Sequence, residues 1–174
     1  MSTGKKTAPT VSVLAEHVSD HLSVFVVAED TDAKRPANGG LRLLNYPSDE
    51  ACIADGQRLA GLMTNKHDLY GTGFAGGKIV ARAAEPDAVK DELISVTAEL
   101  LESLDGAMIT GCDLNTTLGD MERLTALTPH VLAAVGSPVD ASAATAHGTL
   151  GAVEAVLEKD LDHASPGRAL VHGC

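Results

Sequence analysis

The 174-residue sequence is long enough for one domain with a sizeable buried core. Its 44% hydrophobic and 21% charged residues are typical of a soluble globular protein. The formal net charge is 13 − 24 = −11, which argues against nucleic acid as a partner because phosphates would be repelled. No apolar run of about eighteen residues is present, so no membrane span is predicted.

The first ten residues and the cysteines indicate a cytoplasmic protein. Residues 1–10 are polar and no apolar signal-peptide core follows them, so we expect a flexible tail and a cytoplasmic location. The cysteines are Cys52, Cys112 and Cys174. Their odd number and their spacing match no zinc pattern, so reduced thiols and no metal site are predicted.

The first half of the chain is predicted to contain two strands and a helix. Strands are expected over 11–14 and 22–28, followed by a polar loop over 29–38. Ser48 is typical of a helix N-cap, since Asp49 and Glu50 follow it in the first turn. The apolar face of this helix is predicted to consist of Cys52, Leu59, Leu62 and Met63.

The second half alternates further strands with helices. Strands are predicted over 78–83, 107–110, 131–135 and 169–172, with Gly77 just before the first of them. Pro86 is expected to open a helix whose apolar stripe is Val89, Leu93, Val96, Leu100 and Leu104. A third helix over 142–158 is predicted to turn Ala143, Ala146, Leu150, Val153 and Leu157 inward. The pattern predicts a single α/β domain with a sheet flanked by helices and at least one parallel crossover.

Two glycine-rich segments and one aspartate are candidates for a binding site. The segments cover 35–42 and 63–78, and they contain Lys66 and Lys78. Asp113 directly follows an apolar strand, where open α/β sheets bind ligands. We expect the three charged residues on loops that leave regular elements, around a small charged metabolite. The alternatives are solvated surface lysines and an aspartate that forms a turn or caps a helix.

Five segments, in order, resemble the glutamate/leucine/phenylalanine/valine dehydrogenase family across roughly residues 22–174. Residues 36–42 resemble that family's Gly-Gly-x-Arg loop, and 63–66 resemble its Met-Thr-x-Lys segment. Residues 71–78 are similar to its glycine-rich loop that ends in a lysine. Residues 113–117, with Asp120 and Met121, resemble its Asp-Val-Gly-Thr-x segment and the helix start that follows. Ser137-Pro138 and residues 145–148 resemble its turn and Thr-Ala-x-Gly helix.

The resemblance implies roles for individual residues. Lys66, in the segment that begins at Met63, would hold the substrate α-carboxylate, helped by the backbone of Gly39 and Gly40. Lys78 would be the catalytic lysine, with a lowered pKa. Asp113 would accept and donate protons at the amino group. Thr145 would lie near the nicotinamide and the substrate. The implied fold is that family's N-terminal domain, with a mixed sheet.

The sequence departs from the family pattern at the substrate side. Asn38 stands where the family has a lysine in glutamate enzymes and commonly a leucine in leucine enzymes. It would either contact a substrate side chain with hydrogen-bonding character or turn outward and support the glycine turn. Asn65, His67 and Asp68 also replace the usual aromatic and small residues around Lys66.

Residues 167–174 resemble the start of the family's dinucleotide-binding domain. We therefore expect a tail over 1–10, a substrate-binding and catalytic domain over 11–166, and the start of a second domain over 167–174. The implied activity is NAD- or NADP-dependent oxidative deamination of an L-amino acid to a 2-oxo acid, by a homo-oligomer. Because the cofactor would be bound mainly by the second domain, the isolated chain is expected to be inactive. The alternative is a non-catalytic amino-acid or 2-oxo-acid binding module, or an oligomerisation module.

Overall fold

The computed structural model describes residues 10–29, 32, 34–132, 135–136, 138 and 140–159. The chain forms two compact units, divided between Ala133 and Ala134. Among the described residues, the first unit contains a sheet and its helices, and the second contains one helix. The domain predicted over 11–166 stays a prediction. Residues 1–9 and 160–174 lie outside the described residues, so the predicted tail and the predicted start of a second domain stay predictions.

The regular elements alternate strands with helices as predicted, apart from strand β3, which was not predicted. They are β1 (Val11–Val18), β2 (Ser23–Glu29), β3 (Ala37–Leu44), α1 (Asp49–Tyr70), β4 (Ala75–Arg82), a 3-10 turn (Pro86–Val89), α2 (Lys90–Ser103), β5 (Met108–Cys112), α3 (Leu118–Thr125) and α4 (Ala141–Lys159). The α/β class is confirmed. Among the described residues, no helix combines the length and the apolar character that crossing a membrane requires.

The five strands form one mixed sheet in the order β1-β2-β4-β3-β5. Strand β2 pairs antiparallel with β1 and β4, while β3 is central to a parallel group with β4 and β5. The β3–α1–β4 and β4–α2–β5 crossovers run in opposite directions along the sheet. Right-handed crossovers therefore place α1 and α2 on opposite faces. Strand β2 is accordingly buried along almost its whole length.

Helix α1 begins where the sequence predicts. The Ser48 side chain accepts a hydrogen bond from the Ala51 N–H at 3.2 Å, which confirms the N-cap. The residues that α1 buries are Cys52, Gly56, Ala60, Thr64 and His67. The predicted apolar face is right at Cys52 and wrong at Leu62, which is 52% exposed. The sheet approaches α1 so closely that a Cβ on Gly56 would lie 2.9 Å from Val80, so small residues occupy the contact.

Gly39 and Gly40 of the first glycine-rich segment, and Gly76 and Gly77 of the second, lie in strands rather than in the predicted loops. Asn38-Gly39-Gly40 lies in β3 and Gly76-Gly77-Lys78 lies in β4. Helix α1 also extends to Tyr70 and ends at Gly71, whose φ of 59° is left-handed. Glycines favour loops by local preference, but pairing with neighbours in the sheet satisfies these backbone groups and decides the structure.

The remaining predicted elements are met in part. Pro86 opens a 3-10 turn that leads into α2, with Val89, Leu93 and Val96 buried. Within 131–135, Val131 forms an isolated bridge with Thr110, and residues 133 and 134 lie outside the described residues. Helix α4 confirms the third helix, but Leu150 and Val153 of its predicted inward face are at least half exposed. The strand predicted over 169–172 lies outside the described residues.

Candidate active site

Lys78 is a buried lysine inside strand β4, not on a loop. Its side chain is 7% exposed. It precedes Val80 by two residues, and alternation along a strand places both side chains on one face of the sheet. Val80 packs in the core cluster under α1 together with Cys52 and Ala60. The Lys78 ammonium group is therefore enclosed between the sheet and α1.

Asp113 directly follows β5, and one of its carboxylate oxygens accepts hydrogen bonds from two cationic side chains. Its Oδ2 contacts the Lys78 Nζ and accepts a hydrogen bond from the Arg42 Nε at 2.8 Å. Its Oδ1 has no hydrogen-bond partner among the described residues. The Asp113 side chain is 23% exposed. The carboxylate thus has one oxygen held by the protein and one oxygen open to a ligand.

The turn after β5 fixes the backbone of Asp113. The Thr116 hydroxyl accepts a hydrogen bond from the Asp113 N–H at 2.9 Å and donates to the Leu41 carbonyl at 2.7 Å. Thr116 is buried, so this link between the turn and β3 is shielded from water. Asp113 also opens this turn, because its backbone carbonyl accepts from the Thr116 N–H at 3.0 Å. Its carboxylate takes no part in the turn and contacts Lys78 and Arg42.

Gly40 leaves the space in which Lys78 reaches Asp113. Asn38 pairs with Gly76 and Leu41 with Ile79, so Gly40 is level with Lys78 on the neighbouring strand. On its other side Gly40 pairs with Gly111. A Cβ at Gly40 would lie 2.6 Å from the Cys112 carbonyl oxygen and 2.9 Å from the Asp113 Cβ. A side chain at this position would displace Asp113.

The pKa values of Lys78 and Asp113 are both shifted below their ordinary values. Burial lowers the pKa of Lys78 below its ordinary value, and the Asp113 carboxylate offsets this only in part. Burial by itself raises the pKa of Asp113, but the hydrogen bonds from Arg42 and Lys78 outweigh it, so that pKa lies below its ordinary value. Asp113 is therefore ionised at neutral pH, beside a lysine that gives up its proton more readily than usual.

Asn38 and His67 form a separate polar group near the start of β3. The Asn38 side-chain amide donates to the Ile109 carbonyl at 3.1 Å, which links β3 to β5. The buried His67 ring places its Nε2 3.2 Å from the Asn38 carbonyl oxygen and its Nδ1 2.7 Å from the Thr72 hydroxyl. The Asn38 donor group therefore supports the β3–β5 strand pair, and not the glycine turn that was one of the two expected alternatives. Its predicted contact with a substrate side chain stays a prediction.

The other predicted site residues lie in α1, in the sheet and on α4. Lys66 lies in α1 and is exposed, while Met63 in the same helix is half-buried. Gly39 pairs with Thr110 inside the sheet. Thr145 lies on α4 in the second unit and is exposed. The structure therefore unites Lys78 and Asp113 beside Gly40. The roles predicted for Lys66, Met63, Gly39 and Thr145 stay predictions.

The glycines in strands β3 and β4 do not form a binding site for the pyrophosphate group of a dinucleotide. A phosphate cradle needs backbone N–H groups turned toward the ligand, at a turn between a strand and a helix. Gly39 and Gly76 instead lie in the interior of paired strands, where a Cβ on Gly39 would lie 1.7 Å from the Gly77 carbonyl oxygen. Within the described ranges, these residues build the sheet and offer no site for a dinucleotide.

Sequence reasoning missed the role of Arg42 and of its second partner, Asp55. No role was predicted for Arg42 of the Gly-Gly-x-Arg segment, because that segment was predicted to be a loop. In a strand, Arg42 follows Gly40 by two residues and shares its face, which brings it to Asp113. Strand alternation was the signal that could have identified it. Asp55 carried no such signal, since only the packing of α1 on the sheet brings it to Arg42.

A buried lysine inside one strand, paired with a carboxylate just past the carboxyl end of another, is the kind of site that α/β enzymes use for proton transfer on small metabolites. The chain matches the family model described as "Glu/Leu/Phe/Val dehydrogenase, dimerisation domain" over residues 15–130. The chain therefore belongs to the Glu/Leu/Phe/Val dehydrogenase family.

Individual relatives agree with this assignment. The chain is 31% identical over 149 residues to the leucine dehydrogenase of Bacillus subtilis (strain 168), covering 84% of this chain and 41% of that protein. It is 32% identical over 123 residues to the L-tryptophan dehydrogenase of Nostoc punctiforme (strain ATCC 29133 / PCC 73102), covering 71% of this chain and 35% of that protein. The chain thus spans well under half the length of these curated relatives.

Solved structures show the same fold. The crystal structure of L-tryptophan dehydrogenase from Nostoc punctiforme matches with a TM-score of 0.61 and 30% identity, covering 70% of this chain and 36% of that one. The hetero-hexameric glutamate dehydrogenase from Thermus thermophilus (Leu bound form) matches with a TM-score of 0.66 and 22% identity, covering 87% of this chain and 41% of that one. The second likeness concerns the fold alone.

Proposed function

We propose that this chain provides the substrate-binding and proton-transfer part of a nicotinamide-dependent L-amino-acid dehydrogenase. The reaction is the oxidative deamination of an L-amino acid to a 2-oxo acid and ammonia. The observation that carries the proposal is the contact of buried Lys78 with Asp113, whose Oδ2 also accepts from Arg42. Membership of the family and the relatives named leucine, valine and tryptophan dehydrogenase support it.

Each member of the pair has a distinct role in this chemistry. Deamination requires a base at the amino group, and the open Oδ1 of Asp113 would take that proton. It also requires a cation beside the oxygen that replaces the amino group. Lys78 is held in the folded core with a lowered pKa, so it would donate to that oxygen and give up its proton more readily than an ordinary lysine. Nicotinamide, when bound by other parts of the enzyme, supplies the hydride acceptor.

Substrate anchoring is assigned to Lys66, as the family pattern implies. Lys66 is exposed on α1, so it is solvated before a ligand arrives. A substrate α-carboxylate would bind its ammonium group, while Gly39, Gly40 and Met63 would complete the pocket. Thr145 would lie beside the nicotinamide. For the substrate side chain we propose one with hydrogen-bonding character, or an aromatic one with a polar group, because Asn38 is half-buried where the family carries leucine or lysine.

Assembly is part of the proposal. The matched family model is described as a dimerisation domain, and the glutamate dehydrogenase that shares the fold is described as hetero-hexameric. We infer that this chain self-associates into a homo-oligomer. Sedimentation velocity over a range of protein concentrations tests this directly, and a single monomeric species at all concentrations would contradict it.

The test of function has two parts. First, a panel of L-amino acids and their 2-oxo acids is titrated into the 174-residue chain by NMR, with wild type compared with Lys78→Met. Second, NADH and NADPH formation is measured in an enzyme assembled from this chain and a nucleotide-binding domain. Binding and turnover that both depend on Lys78 support the proposal. Binding without turnover in the assembled enzyme would favour the non-catalytic binding module.

The chain offers a matched control for Lys78. Lys90 also forms a half-buried ion pair, with its Nζ 2.9 Å from the Asp120 Oδ2, and it lies at the start of α2. Lys90→Met therefore removes the same charge from the same kind of pair outside the proposed site. We expect ligand binding and turnover to survive this change. Equal loss in the two variants would mean that Lys78 acts only through stability.

A further inference from the structure

We propose that Asp55 and Tyr46 are positioning residues that act through Arg42 to hold Asp113 in place as the proton acceptor. The proton-acceptor role rests on the proposed function, whereas the contact chain itself does not. The four residues come from four parts of the fold: Arg42 from β3, Tyr46 from the segment after it, Asp55 from α1, and Asp113 from the turn after β5. They form a continuous line of hydrogen bonds that leads away from Lys78.

Arg42 is held at two of its nitrogens by two different carboxylates. Its Nε donates to the Asp113 Oδ2 at 2.8 Å, and its Nη1 donates to the Asp55 Oδ2 at 3.1 Å. The Arg42 side chain is 15% exposed. A guanidinium group is planar, so contacts at two nitrogens fix its orientation as well as its position. The contact with Asp55 therefore determines where Arg42 meets Asp113.

Asp55 is fixed independently of Asp113. Its Oδ2 also accepts from the Tyr46 hydroxyl at 2.8 Å, and its Oδ1 accepts from the Arg58 Nη2 at 2.7 Å. Burial raises the pKa of Asp55, but the hydrogen bonds from Arg58 and Tyr46 outweigh it and the pKa lies below its ordinary value. Asp55 therefore remains a charged anchor, mounted on α1 and satisfied on both oxygens.

The site needs such an anchor because Asp113 lies past the end of β5 and is partly exposed. Arg42 has a long side chain, which without Asp55 would lose one of its two charge-assisted hydrogen bonds and gain rotamer freedom. Asp113 would then keep Lys78 as its only fixed cation. The charged groups that face Asp113 are Lys78 from β4 and Arg42 from β3, with Asp55 behind Arg42.

Titration of Asp113 distinguishes positioning from a merely structural role. The probe is the carboxyl ¹³C shift of Asp113 in the 174-residue chain, followed from neutral to acidic pH in wild type and in Asp55→Asn. Removing a negative charge near Asp113 by itself lowers its pKa. Loss of Arg42 from Asp113 raises it. Positioning therefore predicts that the midpoint for Asp113 moves to higher pH in Asp55→Asn, and an unchanged or lower midpoint would overturn the proposal.

Further variants test whether the Asp113 midpoint depends on Arg42 and on the partners of Asp55. Arg42→Gln removes the cation itself and should give the largest rise in the Asp113 midpoint. Arg58→Gln removes a 59% exposed partner of the other Asp55 oxygen, the one that does not contact Arg42, and should move the midpoint less than Asp55→Asn does. If Asp55→Asn does not fold, Tyr46→Phe decides, because it removes one hydroxyl and no charge. A higher Asp113 midpoint in Tyr46→Phe supports positioning, and an unchanged one overturns it. None of these readings needs enzymatic activity, so they stand apart from the test of function.

Discussion

Gly40 and Asp113 lie in direct contact across two neighbouring strands. A Cβ on Gly40 would lie 2.9 Å from the Asp113 Cβ and 2.6 Å from the Cys112 carbonyl oxygen. We expect Gly40→Ala to cost roughly 1–3 kcal/mol of unfolding free energy, since backbone must move to admit the methyl group. It should also raise the pKa of Asp113 by lengthening its contacts with Lys78 and Arg42.

Urea unfolding and titration of the Asp113 carboxyl group check this prediction. Gly61→Ala is the matched control, because Gly61 lies in α1 with nothing within 4 Å of its Cβ position. That substitution should be neutral or stabilise by up to about 1 kcal/mol. If Gly40→Ala proves as harmless as Gly61→Ala, the close approach at Gly40 does not constrain the site.

Lys78 is expected to be essential for turnover in an enzyme that contains this chain. Lys78→Ala should lower kcat by roughly a hundredfold or more, the scale of a positioned acid–base group. The measurement is steady-state kinetics of amino-acid oxidation, with Lys90→Met as the control in the same background. Activity of Lys78→Ala within about threefold of wild type would rule out the assignment.

Lys66 is expected to act on substrate binding rather than on the chemical step. Lys66→Met should raise KM for the amino acid roughly tenfold or more and leave kcat largely intact, because it would remove one charged contact to the α-carboxylate. The same kinetic assay gives both constants. An unchanged KM would show that another cation holds the substrate carboxylate. Because Lys66 is exposed on α1, its substitution should leave the fold intact, so a change in KM can be assigned to substrate binding.

Asp113 is expected to contribute to acid sensitivity of the fold. Its pKa is lower in the folded chain than its ordinary value, so its contribution to stability is present above about pH 4 and is lost as the pH falls through the folded pKa. The difference in unfolding free energy between wild type and Asp113→Asn should therefore shrink below about pH 4. The 93% exposed Asp91 provides a control substitution, Asp91→Asn. A difference that is constant from pH 6 to pH 3 would contradict the prediction.

Asn38 gives a prediction on both stability and specificity. Asn38→Leu removes the hydrogen bond to the Ile109 carbonyl and should cost about 1 kcal/mol in urea unfolding. In the assembled enzyme it should also shift preference from polar or aromatic amino acids toward leucine and valine. If the stability falls while the ranking of amino acids is unchanged, then Asn38 supports the β3–β5 pair and does not read the substrate side chain.

The sequence by itself determined most of the elements and several of their boundaries, but not strand β3. Ser48 specified the start of α1 because its side chain satisfies a backbone N–H within the same turn, and such contacts depend on local sequence alone. The position of Asp113 after an apolar strand likewise placed it at the ligand-binding edge of the sheet. Family resemblance then brought Lys78 and Asp113 together as a pair before any geometry was known.

Only the tertiary structure decided what the glycines and the arginine do. Gly39 and Gly40 were expected in a loop, but strands β4 and β5 pair on either side of them and make β3 the centre of the parallel group. The tertiary structure also decided which residues of α1 face the sheet. Because the sheet lies so close to the helix, the small residues Gly56 and Ala60 occupy the contact. The link from Arg42 to Asp55 depends on the packing of a helix on a sheet, a long-range contact that local preference does not encode.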